Sequence, residues 1–535
     1  MPSQTLKSVL AATGALALAA TTAAPAFAQQ QQPGQLTVLR TIDADNYDPI
    51  RSTATAAAEI VYLLADTLVS VDFDMQTVQP LLAESWEVSD DGLTYTFKLR
   101  QDVKFCSGRA MTAEDVVFSF ERWLSPESSS PTKFRAGNVA EIRAINDHTV
   151  EYRLNEPYSD LLFQLALSFA SVVDRESVEE LGENFGVQGF GGTGPYCWNS
   201  WTPRQEVVLD KNPHYTWGPP IYENGTPQVE RMVWRVIPEA NTMMAAVQTG
   251  QADMTYYMAP FAIESLRAIP TLTVQQQDNY LYDNFVGFKT DKPVMNDPAM
   301  RRAINQAVNR DALAQAAFFG LGTALHSLLN PKVIDYDPAT AELTPAYDPD
   351  AAIATLEEAG WELGSDGVRV KDGQRAEFLL YGIRNTQNPV MMEGMQADLR
   401  RIGVEMEIQL WDGTAAWGRL ATQEFDAFVL SYPYVTATEA LSLYFRSTQM
   451  PTPNRMNWNN EETDRLIDEA RQATDDETRK AAIGAAQRQL VEADVWMPIV
   501  SQPMILVSGQ RVEGARPHGI YGAGIYKGLD ISLTD

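Results

Sequence analysis

Along 84–105, Trp86 and Val88 alternate with polar residues, Asp90-Asp91-Gly92 supplies a turn, and Leu93, Tyr95, Phe97 and Leu99 alternate with Thr94, Thr96, Lys98 and Arg100. Alternation of period two sends successive side chains to opposite faces, so this segment predicts a β-hairpin. Thr112 follows with Asp115 three residues on, the spacing of a capping box, and Val116, Val117, Phe120 and Trp123 then recur at helical spacing. The second half reads as helices alternating with strands. Asp297-Pro298 and Asp348-Pro349 each set a capping carboxylate before a proline, whose missing N–H is not needed in the first helical turn. Met300, Ala303, Ile304, Ala307 and Val308 form one helical stripe; Ile353, Leu356 and Ala359 form another, which Gly360 stops. A third helix opens at Pro389, turns Met392, Met395, Leu399 and Ile402 to one face and ends at Gly403. Val404, Met406, Ile408 and Leu410 then alternate with Glu405, Glu407 and Gln409 as a half-exposed strand. A short strand at 36–40, helices over 461–473 and 477–493, and an apolar stretch over 495–507 complete the pattern. It predicts an α/β chain with helices packed on mixed sheets in more than one domain.

The N-terminus does not belong to that pattern. Lys7, an Ala-rich apolar run over 8–20 and Ala26-Phe27-Ala28 before Gln29 follow the order of a secretory signal peptide, 1–28, cleaved after Ala28. The run is shorter than the ~18 to 20 residues that span a bilayer, and no later segment reaches that length, so the mature protein is expected to have no membrane span. No cysteine follows the run to carry a lipid. The expected location is a periplasm. Cys106 and Cys197 would meet an oxidising compartment there, as a disulfide or as two separate small apolar residues. The 535 residues give room for about three domains at ~100–200 residues each. A formal charge of −29 argues against nucleic acid, whose phosphates need Lys and Arg.

Catalytic chemistry is hard to find. Gly189-x-Gly191-x-x-Gly194 matches a dinucleotide fingerprint, but Pro195 and a β-prone stretch follow where a helix would have to start, so a glycine-rich turn is expected. His148, His214, His326 and His518 are scattered without metal-ligand spacing, and no nucleophile elbow or phosphate loop occurs. The expectation is no catalytic residue, no metal and no cofactor: a binding protein, not a hydrolase or chaperone. The surplus is aromatic, with 11 Trp, 20 Tyr and 20 Phe. Most will be core. Those in Pro- and Asn-rich contexts combine flat faces with polar tips, as small-molecule clefts do. On that basis Tyr256 (with Tyr257), Tyr282 (with Tyr280), Trp411, Trp417, Tyr432, Tyr434, Asn457 and Trp458 are the expected ligand walls. Arg384, in an Asn- and Gln-rich loop, is the expected carboxylate partner.

Seven segments carry a resemblance. They are LAESWEVSDDGLTYTFKLRQDVKFCSGRAMTAEDVVFSFER at 82–122, GTGPY at 192–196 with SWTP at 200–203, Asn212-Pro213, QTGQADM at 248–254, NDPAMRRAINQAVNRDAL at 296–313, YDPDAAIATLEEAGW at 347–361, and QADLRRIGVEMEIQ at 396–409. In this order they resemble the dipeptide/oligopeptide/nickel group of ABC-importer solute-binding proteins, solute-binding protein family 5, across nearly the whole mature chain. The resemblance implies a type II, two-lobed Venus-flytrap fold with an extra inserted domain. Lobe I would comprise 29–63, 185–277 and 495–535, the insert 64–184, and lobe II 278–494. It also implies a monomer that closes on a small-molecule solute and delivers it to ABC permease and ATPase subunits.

Peptide-binding members of the group carry an aspartate for the peptide's α-amino group in the loop that here reads FVLSYPYVTATEALSLYF, 428–445. Pro433 stands at that position, and Thr436 where a second aspartate is common. Losing it removes a charge-assisted bond of about 1.5–3 kcal/mol. A peptide or peptide-like solute remains the leading expectation, with an oligosaccharide or opine-like conjugate as the alternative, since Tyr and Trp faces stack on sugar rings.

Overall fold

The computed structural model describes residues 33–534, without the side chains of 278–281 and 413–414. The leader expected at 1–28 therefore lies outside the described residues, as does the side chain of Tyr280.

One eleven-stranded sheet runs through the molecule. Its first half orders the strands Tyr196–Thr202, Glu206–Lys211, Arg231–Val236, Gln35–Arg40 and Met254–Thr255; its second half holds Ala427–Pro433, Glu377–Ile383 and Glu405–Trp411. Two long antiparallel strands, Leu272–Phe288 and Trp496–Gly509, join the halves. Leu272–Gln277 pairs with Gly509–Met504 beside the first half, whereas Tyr282–Gly287 pairs with Gln502–Trp496 beside the second. The register shifts between Gln277 and Tyr282, where the two strands pass from one lobe to the other. A break in the ladder gives up regular hydrogen bonds locally and lets the strands bend.

A separate four-stranded antiparallel sheet is built by Ala83–Val88, Thr94–Leu99, Thr149–Leu154 and Val139–Asn146. The expected hairpin is its first pair, with Gly92 at φ +67° in the turn, and its second strand ends at Leu99 instead of running on to 105. Helix Ala113–Leu124 covers the sheet and starts as expected: Thr112 N donates to Asp115 Oδ2 at 2.9 Å. Asp297 accepts from Ala299 N and Asp348 from Ala351 N, each at 2.9 Å, so both Asp-Pro pairs cap helices, Pro298–Ala307 and Pro349–Glu358. Met391, Met392, Met395 and Leu399 of helix Asn388–Arg401 are buried in the lobe II core.

No helix follows the Gly189–Gly194 run; strand Tyr196–Thr202 does. A Cβ at Gly192 would stand 2.2 Å from the Leu64 carbonyl oxygen, and one at Gly194 2.3 Å from that of Leu63. These glycines let two segments of the backbone meet.

Cys106 and Cys197 form a disulfide, Cα to Cα 5.8 Å, which fastens the region of the four-stranded sheet to the edge strand of lobe I. Around the same junction, Lys527 Nζ meets Asp66 at 2.6 Å, Trp217 Nε1 donates to Asp66 at 3.0 Å, and the buried His518 ring bonds Val71 O at 3.0 Å. Ile520 N donates to His518 Nδ1, so Nε2 carries the proton and donates to Val71. Burial holds this imidazole neutral, its pKa lowered to about 3.

Candidate solute cleft

The crossing strands bring both lobes and the inserted region around one cleft with two adjoining chambers. The larger, about 710 Å³, takes Asp43, Asp45 and Arg51 from the N-terminal segment, Phe134, Arg135 and Phe169 from around the four-stranded sheet, and Trp417, Tyr432, Tyr444 and Arg455 from the segment 417–455. The smaller, about 470 Å³, lies between Tyr256, Tyr257 and Met258 on one side and Asn385, Thr386 and Gln387 on the other. Ile42, Thr55 and Tyr282 line both. Tyr282 stands opposite Pro433 in the sheet, just after the register shift, which places it where the chambers meet.

Arg135 ties the larger chamber to its surroundings through its guanidinium. Its guanidinium donates to Gln164 Oε1 and Glu439 Oε1, both at 2.6 Å, and to the Tyr432 hydroxyl at 2.5 Å. Burial pulls its pKa down, but Tyr432 and Glu439 outweigh that and the net shift is upward. Burial also pushes the Tyr432 phenol up to about 12, so it remains a neutral hydroxyl. Beside this cluster, Thr436 Oγ1 donates to Asp160 Oδ2 at 2.8 Å, and Ser159 N donates to Arg471 O at 2.8 Å. Burial raises Asp160 to about 7, against the pull of the Thr436 hydroxyl. These contacts form a seam between residues 135–164 and residues 432–471. Under the smaller chamber, buried Glu59 takes Trp234 Nε1 at 2.7 Å and the Tyr257 hydroxyl at 3.1 Å, with Arg40 at 3.9 Å. Burial raises this carboxyl to about 7 as well.

Four of the nine expected wall residues line the chambers: Tyr256, Tyr282, Trp417 and Tyr432. The other five line neither. Tyr434 is buried and donates its hydroxyl to Asp283 Oδ2 at 2.8 Å. Arg384 is exposed and paired with Asp412 at 3.1 Å, although its neighbours Asn385–Gln387 do reach the smaller chamber. Trp411 packs against Tyr381 and lies under the Arg419 guanidinium at 4.4 Å. Asn457, at φ 51°, donates to Asp291, and Trp458 donates Nε1 to Thr463 Oγ1 at 3.0 Å. The last two shape a loop in which fully buried Asn454 donates to Arg446 O and Trp458 O.

That loop presents Arg455, which sequence reasoning passed over. Asn457 and Trp458 lie in the same loop as its supports, and Arg455 is a side chain of that loop that lines the larger chamber. Arg135 left no local signal at all: its partner Glu439 is 304 residues away.

Among the described residues, no helix is long and apolar enough to cross a membrane, and no group of three His, Cys, Asp or Glu is placed to hold a metal ion. The model of bacterial extracellular solute-binding proteins, family 5 (middle region), matches residues 77–451. The chain belongs to family 5. A di/tripeptide-binding protein 2 of Pseudomonas aeruginosa is 27% identical to this family 5 protein, over 92% of this chain and 94% of its own. The glutathione-binding protein GsiB of Salmonella typhimurium is 26% identical, over 88% and 89%. The periplasmic binding protein DppA of Helicobacter pylori, solved with the peptide STSA, shares the fold at a TM-score of 0.78 and 23% identity, over 93% of this chain and 98% of that one. The chain is thus an ABC substrate-binding protein with the two-lobed type II fold, and not an enzyme.

Proposed function

We propose that this receptor closes on a peptide or peptide-like solute and hands it to the permease and ATPase subunits of an ABC importer, acting as a monomer in a periplasm after cleavage at Ala28. The observation that carries the ligand reading is the larger chamber. Its about 710 Å³ is enclosed from both lobes and the insert, with aromatic walls and charged tips of both signs, and the smaller chamber continues it past Tyr282. Such a site suits an extended solute with apolar side groups and polar ends. Contacts made from both lobes at once favour the closed state, which is how a ligand shifts the equilibrium.

A second reading, an oligosaccharide or opine-like conjugate, draws support from Pro433. It lines the larger chamber at the position where peptide-binding members carry an aspartate, so no carboxylate there meets an α-amino group.

The test is to denature the purified mature protein, identify released small molecules by mass spectrometry, and then add mixed peptides or mixed oligosaccharides while recording the melting temperature. Released peptides and a shift with peptides alone support the first reading. A shift with sugars alone overturns it in favour of the second.

A further inference from the structure

Three arginines line the larger chamber, and their surroundings differ. Arg51 pairs with Asp48 at 3.3 Å and Glu183 at 2.9 Å, and Arg135 with Glu439. Arg455 has no carboxylate and no side-chain hydrogen-bond partner among the described residues, and its Nε is buried without one. Its nearest polar or aromatic company is the Trp417 ring, 5.6 Å from the guanidinium carbon, and Tyr444, whose buried phenol is held neutral. Burial lowers the Arg455 pKa, yet a guanidinium keeps its proton at any physiological pH.

A half-buried cation without an anion is costly, because the low-dielectric wall weakens its hydration and nothing repays it. The backbone around it is nonetheless well fixed. Asn454, next in the chain, is clamped to Arg446 and Trp458, and Asn457 to Asp291. A loop held this firmly that offers an unpaired, planar five-donor fork to an aromatic chamber has the chemistry of a carboxylate receptor.

We infer that Arg455 is the anchor for a carboxylate of the solute in the larger chamber. This rests on the reading of the cleft as the solute site and narrows it: the solute class is acidic, a peptide with a free carboxyl group or an acidic sugar conjugate. Arg384, the earlier expectation for this role, is occupied by Asp412 at the surface.

The test uses a mixture of small peptides and uronic-acid oligosaccharides, applied natively and after methyl esterification of its carboxyl groups. Retained molecules are counted by mass spectrometry after desalting, for the wild type, Arg455→Gln and Arg455→Lys. The wild type should retain acidic members and lose at least about tenfold on esterification. Arg455→Gln should retain the native mixture about ten- to a hundredfold less and no longer distinguish the two forms, while Arg455→Lys, which keeps charge but not the fork, recovers part. Without solute, Arg455→Gln should melt no lower than the wild type; a residue that merely supports the loop would lower it. If the wild type retains both forms equally and Arg455→Gln behaves the same, the anchor is wrong while the receptor reading stands. If the wild type retains nothing from either mixture, the reading of the cleft falls and the anchor with it.

Discussion

Two parts of the same cleft treat an arginine in opposite ways. On one wall of the larger chamber Arg135 is enclosed and bonded to Glu439, Gln164 and Tyr432; on another, Arg455 faces an aromatic ring with no side-chain hydrogen-bond partner among the described residues. The first has its anion and three bonds, with only Nε left unpartnered, so its strength goes into holding two parts of the protein together. The second is incomplete, so its strength is kept for a molecule that comes and goes. The difference shows that burial of a charge says little about its role until its partners are counted.

The largest expected effect is at the seam. Arg135→Met leaves Glu439 buried without its cation and should cost about 3–5 kcal/mol, read as a lowered urea midpoint; an unchanged midpoint would mean that the seam does not bear on stability. Replacing Cys106 and Cys197 together by serine should cost about 2–5 kcal/mol, since the bond closes a loop of 91 residues, and limited proteolysis should then cut first in the insert. A smaller effect separates the seam by pH. Asp160, raised to about 7 by burial, favours the folded state fully below the ordinary carboxylate range and loses that contribution as pH climbs through about 7. The charges that face it are Glu439 and Asp335, which reinforce the rise, and Arg479, which opposes it. Asp160→Asn should therefore flatten the fall in unfolding free energy between pH 5 and 8, by at most a few kcal/mol at about 1.4 kcal/mol per unit; an unaltered slope would assign the pH response to other buried carboxyls such as Glu59 and Asp494. Least of all, Arg384→Ala should change stability by under about 0.5 kcal/mol, as exposed ion pairs do, measured by thermal melting.

How far the sequence reaches follows the same division. Periodicity and capping located the hairpin, the Asp-Pro helix starts and the methionine-rich helix because each is decided within a few neighbouring residues. The glycine run was rightly set aside as a turn, although its actual cause, the backbone of Leu63 and Leu64 passing within contact, could not be read locally. The cleft was half legible. Aromatic clustering chose Tyr256, Tyr282, Trp417 and Tyr432, which line the chambers, but also Tyr434, which stands past the strand's end and bonds inward to Asp283, and Trp411, which is covered by Arg419. Which face a ring takes depends on strand register and on partners hundreds of residues away, and a composition signal carries neither.

The Cys106–Cys197 bond settles where this molecule can part. It ties Cys106, beside the four-stranded sheet, to the edge strand Tyr196–Thr202 of the large sheet, so those two parts cannot separate while the bond is intact. Leu272–Phe288 and Trp496–Gly509 carry the chain between the two halves of the large sheet, and separating residues 135–164 from residues 432–471 would have to break the Arg135–Glu439 and Ser159–Arg471 contacts. The contacts lie beside the crossing strands, since Tyr432, which accepts from Arg135, pairs with Asp283 of Leu272–Phe288, and they join the protein to itself, so part of the cost of opening is set by the protein alone.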